Sequence, residues 1–219
     1  MNITSDSRSP AAATTSTLPA AETVLAAIRG RRSVRNFRPT RMGKETILRL
    51  LDAAVHAPTA VHEEPWQFAI VQDRDVLKRL SDRAKRLSLD QFSGGAAVPY
   101  PEAMPASLHA LVDRLSDPDF NVFYDAGTLI VIGARPLGPF VTADCWLAAE
   151  NLMLAAHALG LGTCCIGFAL AALNTPESKA ELRLPADTTA VAAIIVGEPA
   201  EATAPAPTER RPPNIVAWL

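Results

Sequence analysis

The stretch TADCWLAAENLMLAAHALGLGTCCIGF, residues 142–168, decides the fold. Its first part reads as one long helix, about Thr142–Leu159. Thr142 is placed to cap its start, Asp144 sits in its positive first turn, and Gly160 can close it in a left-handed turn. The helix is apolar nearly all round, so it belongs at the centre of a domain or at a subunit interface. It is about a turn short of a membrane span and carries Glu150 and His157. The following GTCCIGFAL, residues 162–170, reads as a turn and a short buried segment.

On either side of it lie two continuous apolar runs, Thr128–Gly133 and Val191–Val196, which read as buried strands. Gln67–Val71 is a third strand. Helices are expected at Ala21–Arg29, with Val24, Leu25 and Ile28 inward, and at Lys44–His56, with Ile47, Leu48, Leu51 and Val55 inward. A charged helix at 74–89 turns Val76, Leu77, Leu80, Ala84 and Leu87 to the core, and a short one follows at 175–182. Residues 90–121 hold Gly94-Gly95, Pro99, Pro101, Pro105 and Pro118 around one helical pattern at 106–115. A lid or insertion fits, because long irregular stretches in compact domains tend to serve function. Helix outweighs strand in this loose alternation, which favours one α/β or α+β domain over two.

Composition narrows the function. Lysine and arginine (21) nearly balance aspartate and glutamate (23), so the chain is not a globally basic nucleic-acid binder. An apolar share of 48% supplies a full core. The three cysteines, Cys145, Cys164 and Cys165, make no disulfide framework and no zinc spacing, and a reducing compartment, the cytoplasm, is the default. Residues 1–20 are rich in Ser, Thr and Ala, lack a signal-type apolar core, and read as a disordered leader ahead of a domain at 21–219.

Four stretches can carry chemistry. GRRSVRNFRPTR, residues 30–41, is the strongest. Guanidinium groups grip phosphate with paired N–H donors, and in an extended segment Arg31, Ser33 and Arg35 point the same way. A solvated basic loop is the bland alternative. PTAVHEEPW, residues 58–66, is a stiff loop whose small Thr59 and Ala60 let backbone approach a flat ligand, with His62, Glu63 and Glu64 as polar candidates. GLGTCCIGF, residues 160–168, offers backbone amides at a glycine-rich turn; its cysteines read better as small buried hydrophobes than as nucleophiles. ERRPPNIVAWL closes the chain, with Arg210 or Arg211 free to return to the same phosphate and Val216, Trp218 and Leu219 apolar enough to dock on something.

Taken in order, these segments resemble the FMN-dependent nitroreductase family from about Val24 to Leu219. The matching pieces are RRSVRNF at 31–37, PTAVHEEPW at 58–66, YDAGTLIVIG at 124–133, ALGLGTCCIGF at 158–168 and Arg211-Pro212-Pro213. The resemblance implies an α+β fold with a central, mostly antiparallel sheet flanked by helices. It implies a homodimer, with the long helix at the interface, FMN in two shared sites and residues 205–219 docked on the partner. It implies that Arg31, Arg32, Ser33 and Arg211 hold the flavin phosphate, and that Arg35 approaches the pyrimidine end. The amides of Ile166 and Gly167 would face flavin N5 and O4, and Thr59, Ala60 and His62 of the partner would cover the ring. NADH or NADPH would be the donor, and a nitroaromatic or quinone the small-molecule acceptor, in ping-pong turns. No protein acid or base, metal, nucleic acid or membrane is implied. The chain departs from the family pattern at His62 (usually Asn), Glu64 (usually Gln) and Glu209 (often Lys). Asp82 and Lys85 stand near the place of another Asn-x-x-Lys pair. A flavin protein with another task (flavin breakdown, dehydrogenation or sensing) remains the alternative, and a thiol enzyme using Cys164 or Cys165 a distant third.

Overall fold

The computed structural model describes residues 18–93, 106–200 and 209–219. Four strands, β1 (Trp66–Val71), β2 (Thr128–Ala134), β3 (Gly162–Cys165) and β4 (Thr189–Gly197), form one sheet in the order β1-β2-β4-β3, antiparallel at every step. The helices are α1 (Leu18–Gly30), α2 (Lys44–Val55), α3 (Arg74–Ser93), α4 (Ala106–Ser116), α5 (Val141–Ala158), α6 (Ala169–Leu173) and α7 (Pro176–Leu182). This is the α+β architecture expected.

The two central strands explain the layering. Side chains alternate along a strand, so Leu129 and Val131 of β2 face one core and Ile130 and Ile132 the other. The first core is closed by Leu77, Leu80 and Ala84 of α3, Leu115 of α4, and Ala172 and Leu173 of α6. The second is closed by Leu50 and Ala54 of α2 and by Cys145, Ala148, Ala149, Leu152, Met153 and Ala156 of α5. With both faces covered, β2 and β4 need no polar alternation, and each fully buried Leu or Ile contributes about 1.5–3 kcal/mol.

Three local expectations shift. α5 begins at Val141 behind Phe140, which gives no side-chain cap, so Thr142 is inside the helix. Its buried stripe is small-residue and one-sided, while Trp146 and Leu147 lie 39% and 46% exposed. On α2 the inward face is Ile47, Leu50 and Ala54; Leu48 and Val55 point out, because small Ala54 is what lets α2 close on α5. On α1 the stripe of Val24, Leu25 and Ile28 is uncovered in the single chain. α1 also starts at Leu18, inside the expected leader. Of the stretch expected to form a lid, 94–105 lies outside the described residues, and the rest is the end of α3, α4 and the turns at 117–121.

Candidate functional site

The arginine segment runs along the outer edge of β3. Ser33 bridges Thr163, and the Val34 amide donates to the Thr163 carbonyl at 2.9 Å. Gly162 permits this: a Cβ there would stand 2.8 Å from Val34 Cβ. Val34 and Phe37 turn into the core, which leaves Ser33 and Arg35 exposed on the outer side.

Burial pushes the Cys164 thiol up from its ordinary range and outweighs the opposing pull of Arg35, Ser33 and Arg31. Arg31 Nε lies 3.4 Å from Glu150 Oε1 of α5, yet neither Arg31 Nε nor Arg32 Nε, both buried, has a hydrogen-bond acceptor. Arg32 spends part of its guanidinium on the end of α1. Its Nη1 turns back to donate to the Arg29 and Arg31 carbonyls at 2.5 and 2.7 Å, where the end of α1 leaves acceptors open.

At the other end of β3, the Ile166 amide donates to Ala193 of β4 at 2.8 Å. It is therefore committed to the sheet, which corrects its expected role as a free donor. Gly167 follows it exposed, with open space about its Cα and no acceptor for its amide among the described residues. A small cavity of about 60 Å³ opens beside this turn, between Arg35, Arg114, Phe120, Tyr124, Ile166 and Phe168. The guanidinium of Arg114 lies 4.7 Å from the Phe120 ring centre and 5.4 Å from that of Tyr124, and Arg35 lies 5.9 Å from Tyr124. A larger cavity of about 500 Å³, between the start of α3 and residues 118–127, is lined by none of the predicted site residues.

The loop at 58–64 is held in an unusual shape. Val61, His62 and Glu64 have φ of 47°, 59° and 44°. This left-handed region costs a non-glycine residue about 1 kcal/mol or more, so something must hold it. Two anchors do. The Ala60 amide donates to the Asp144 carboxylate at 3.4 Å, and Arg135 Nη2 donates to the Glu64 carbonyl at 2.8 Å. Val61 is left 83% exposed at the tip.

One chain does not bring this loop to the arginines. Ala60 is pinned at Asp144 in the first turn of α5, whereas Gly30 abuts His157 in the last. Thirteen residues of helix, about 20 Å, separate these points, and Arg31 meets α5 between them at Glu150, about 9 Å from Asp144. Arg211 likewise lies exposed, with no bond tying it to Arg31. Ile215, Val216, Trp218 and Leu219 beyond it are exposed as well.

The thiol reading loses ground here. Burial, then the Asp144 charge, pushes Cys145 up to about 11, and burial raises Cys164 and Cys165 too, so all three hold their protons at neutral pH. Lys85 is buried and donates to the Asp117 and Pro118 carbonyls, away from the arginine segment. Arg114, Arg135 and Asp144 escaped the sequence reading as site residues. Only Asp144 had left a sign, as an acid at a helix start.

A protein of Methanothermobacter thermautotrophicus, provisionally named an NADH dehydrogenase/NAD(P)H nitroreductase, is 32% identical over 143 residues, 64% of this chain and 58% of its own length. One of the same provisional name from Archaeoglobus fulgidus is 31% identical over 67% of this chain and 68% of its own. The chain thus spans between about half and two thirds of these relatives. A Bacteroides fragilis nitroreductase, solved with bound FMN, superposes with a TM-score of 0.72 at 25% identity, over 89% of this chain and 98% of that one. The model of the nitroreductase family matches residues 28–198, from the last turn of α1 to just past β4. The whole sheet, the arginine segment, the left-handed loop and the turn at Gly167 fall inside that match, and the chain belongs to the nitroreductase family.

Proposed function

We propose that this chain is an FMN-dependent oxidoreductase that carries electrons from NADH or NADPH to nitroaromatic or quinone-type acceptors. The observation that carries the reading is the track along β3. At one end the buried Nε of Arg31 has Glu150 3.4 Å away but no hydrogen-bond acceptor, and at the other stands an unengaged Gly167 amide. A mononucleotide suits both: an anion for the first, a ring atom able to accept a hydrogen bond for the second. Arg31 and Ser33 hold the phosphate, and Arg211 joins them. Arg35 would approach the pyrimidine edge, and the Gly167 amide would face the N5 side. When bound, FMN supplies the electron chemistry, taking a hydride from the nicotinamide and passing electrons on. The chain has no dinucleotide fingerprint, so donor and acceptor use the same open face in turn, a ping-pong order.

The second half of the site comes from a second copy. Ala60 is anchored at Asp144 at the start of α5, whereas the arginine segment meets that helix further on, Arg31 at Glu150 and Gly30 at His157, about 9 and 20 Å along it. Uncovered apolar side chains on α1, α2 and α5 (Val24, Ile28, Val55, Trp146 and Leu147 among them) supply the contact surface. Chains that stay monomeric rarely leave so much exposed. In this homodimer the partner's loop would cover the ring and residues 209–219 would dock across the interface; the central part of the expected lid, 94–105, lies outside the described residues. Residues 21–219 act as one domain.

The test is an absorption spectrum of the purified protein, followed by NADH or NADPH without oxygen and then a nitroarene or quinone. The flavin band should bleach and return, and the protein should elute as a dimer. A monomer that takes up no FMN when offered it refutes the reading. A yellow dimer that neither nicotinamide bleaches is instead a flavin protein with another task.

A further inference from the structure

Arg114 is an unspent cation in an aromatic setting. It comes from α4, an element that contributes nothing to the track along β3. Phe120 and Tyr124, edge to face at 5.5 Å, hold its guanidinium carbon 4.7 and 5.4 Å from their ring centres. Such contacts fix the group while leaving its N–H edge free to donate, and a guanidinium edge fits a carboxylate with two parallel bonds. No carboxylate claims it. Among the described residues neither Arg114 nor Arg35 forms an ion pair, and the nearby Asp117 accepts from the Asp119 amide instead. Both guanidinium groups line the small cavity beside Ile166 and Phe168, with Leu111 and Phe120 as apolar wall. With Arg35 assigned to the flavin, Arg114 is the cation left to draw an anion, and a cavity of about 60 Å³ has room for a carboxylate head with its ring lying outside.

We propose that Arg114 selects acceptors that are aromatic anions, a ring bearing a carboxylate or like charge, with the reducible group directed to the turn at Gly167. Arg35 serves the flavin end of the same cavity, so Arg114 is the specificity-determining residue. This rests on the flavin reading above.

The test compares 4-nitrobenzoate with its neutral counterpart 4-nitrobenzamide, using the FMN-loaded protein. The wild type should favour the carboxylate in kcat/KM. In Arg114→Gln that preference should fall roughly tenfold or more, chiefly through KM for the carboxylate, as loss of one charge-assisted contact implies; Arg114→Lys should restore part of it. A second measurement needs no turnover. Calorimetry of the oxidised protein should find benzoate bound more tightly than benzamide, more so at low salt, with the difference lost in Arg114→Gln. The flavin reduction potential separates the rival role. If Arg114→Gln shifts the potential and slows both acceptors equally, Arg114 serves the flavin and the proposal is overturned. A protein that binds FMN, is bleached by NADH and treats both acceptors alike overturns this inference alone. One that holds no FMN overturns the flavin reading and this with it.

Discussion

Gly162 to Ala is the most direct probe of how the arginine segment is seated. The new Cβ would lie 2.8 Å from Val34 Cβ and Cγ1 and 2.9 Å from Cγ2. Real carbon pairs do not approach so closely, and Val34 cannot rotate out of trouble because all three atoms are involved. The segment must therefore lift from β3, weakening the 2.9 Å Val34–Thr163 hydrogen bond. Overpacking of this kind costs about 1–3 kcal/mol, which in a domain of this size lowers Tm by about 2–12 °C. Ser33 and Arg35 move with the segment, so FMN retention should fall as well. Val34→Ala removes Cγ1 and Cγ2 from the contested space but keeps Cβ, so it relieves the crowding in part. Alone it loses buried methyl groups, for about 1–2 kcal/mol. Combined with Gly162→Ala it should be less harmful than the two costs added. The assay is a double-mutant cycle by urea unfolding, run beside FMN titration. A neutral Gly162→Ala, or costs that simply add, would refute the close seating of Val34 on β3.

Three further outcomes follow from the same geometry. Arg31→Ala and Arg211→Ala should each weaken FMN binding by about 1.5–3 kcal/mol, read by flavin fluorescence on dilution, and wild-type retention in both would mean the phosphate lies elsewhere. Arg135→Ala removes the 2.8 Å donor to Glu64, so the loop at 58–64 should exchange its amides faster, at a global cost of about 1–2 kcal/mol; unchanged exchange would show that Asp144 alone holds it. Cys145 gives a pH signature. Its thiol titrates at about 11 folded against 9.0 as reference, so the unfolded chain loses this proton first. Stability is then full below about pH 9 and declines towards pH 11, by about 2–3 kcal/mol from this fully buried group. Cys145→Ala should flatten that part of a Tm–pH curve, and an equal slope in the variant would assign the loss to other groups.

The sheet was legible because its central strands are covered on both faces: runs such as LIVIG and VAAIIVG need no polar alternation. The helices were legible as helices but less so as faces. Alanine carries little pattern, so the stripe of Leu50 and Ala54 lost to the louder Leu48 and Val55, which the single chain leaves outside. Backbone commitments were not legible at all. That Ile166 spends its amide on Ala193 depends on the pairing of β3 with β4, a register no local motif encodes. Arg32 looked like its neighbours in the cluster, and only its position just past the end of α1 makes it a cap. Arg114 was hidden because its partners, Phe120 and Tyr124, lie in turns that carry no period.

The length of α5 works as a ruler. One end carries the loop and the other meets the end of α1 beside the arginine segment, so in the homodimer proposed above each end would reach across to its twin, and neither copy would own a whole pocket. Diluting the protein should strip its yellow colour in step with the loss of pairing, and mixing a loop-damaged chain with an arginine-damaged one should regenerate one sound pocket in every mixed pair.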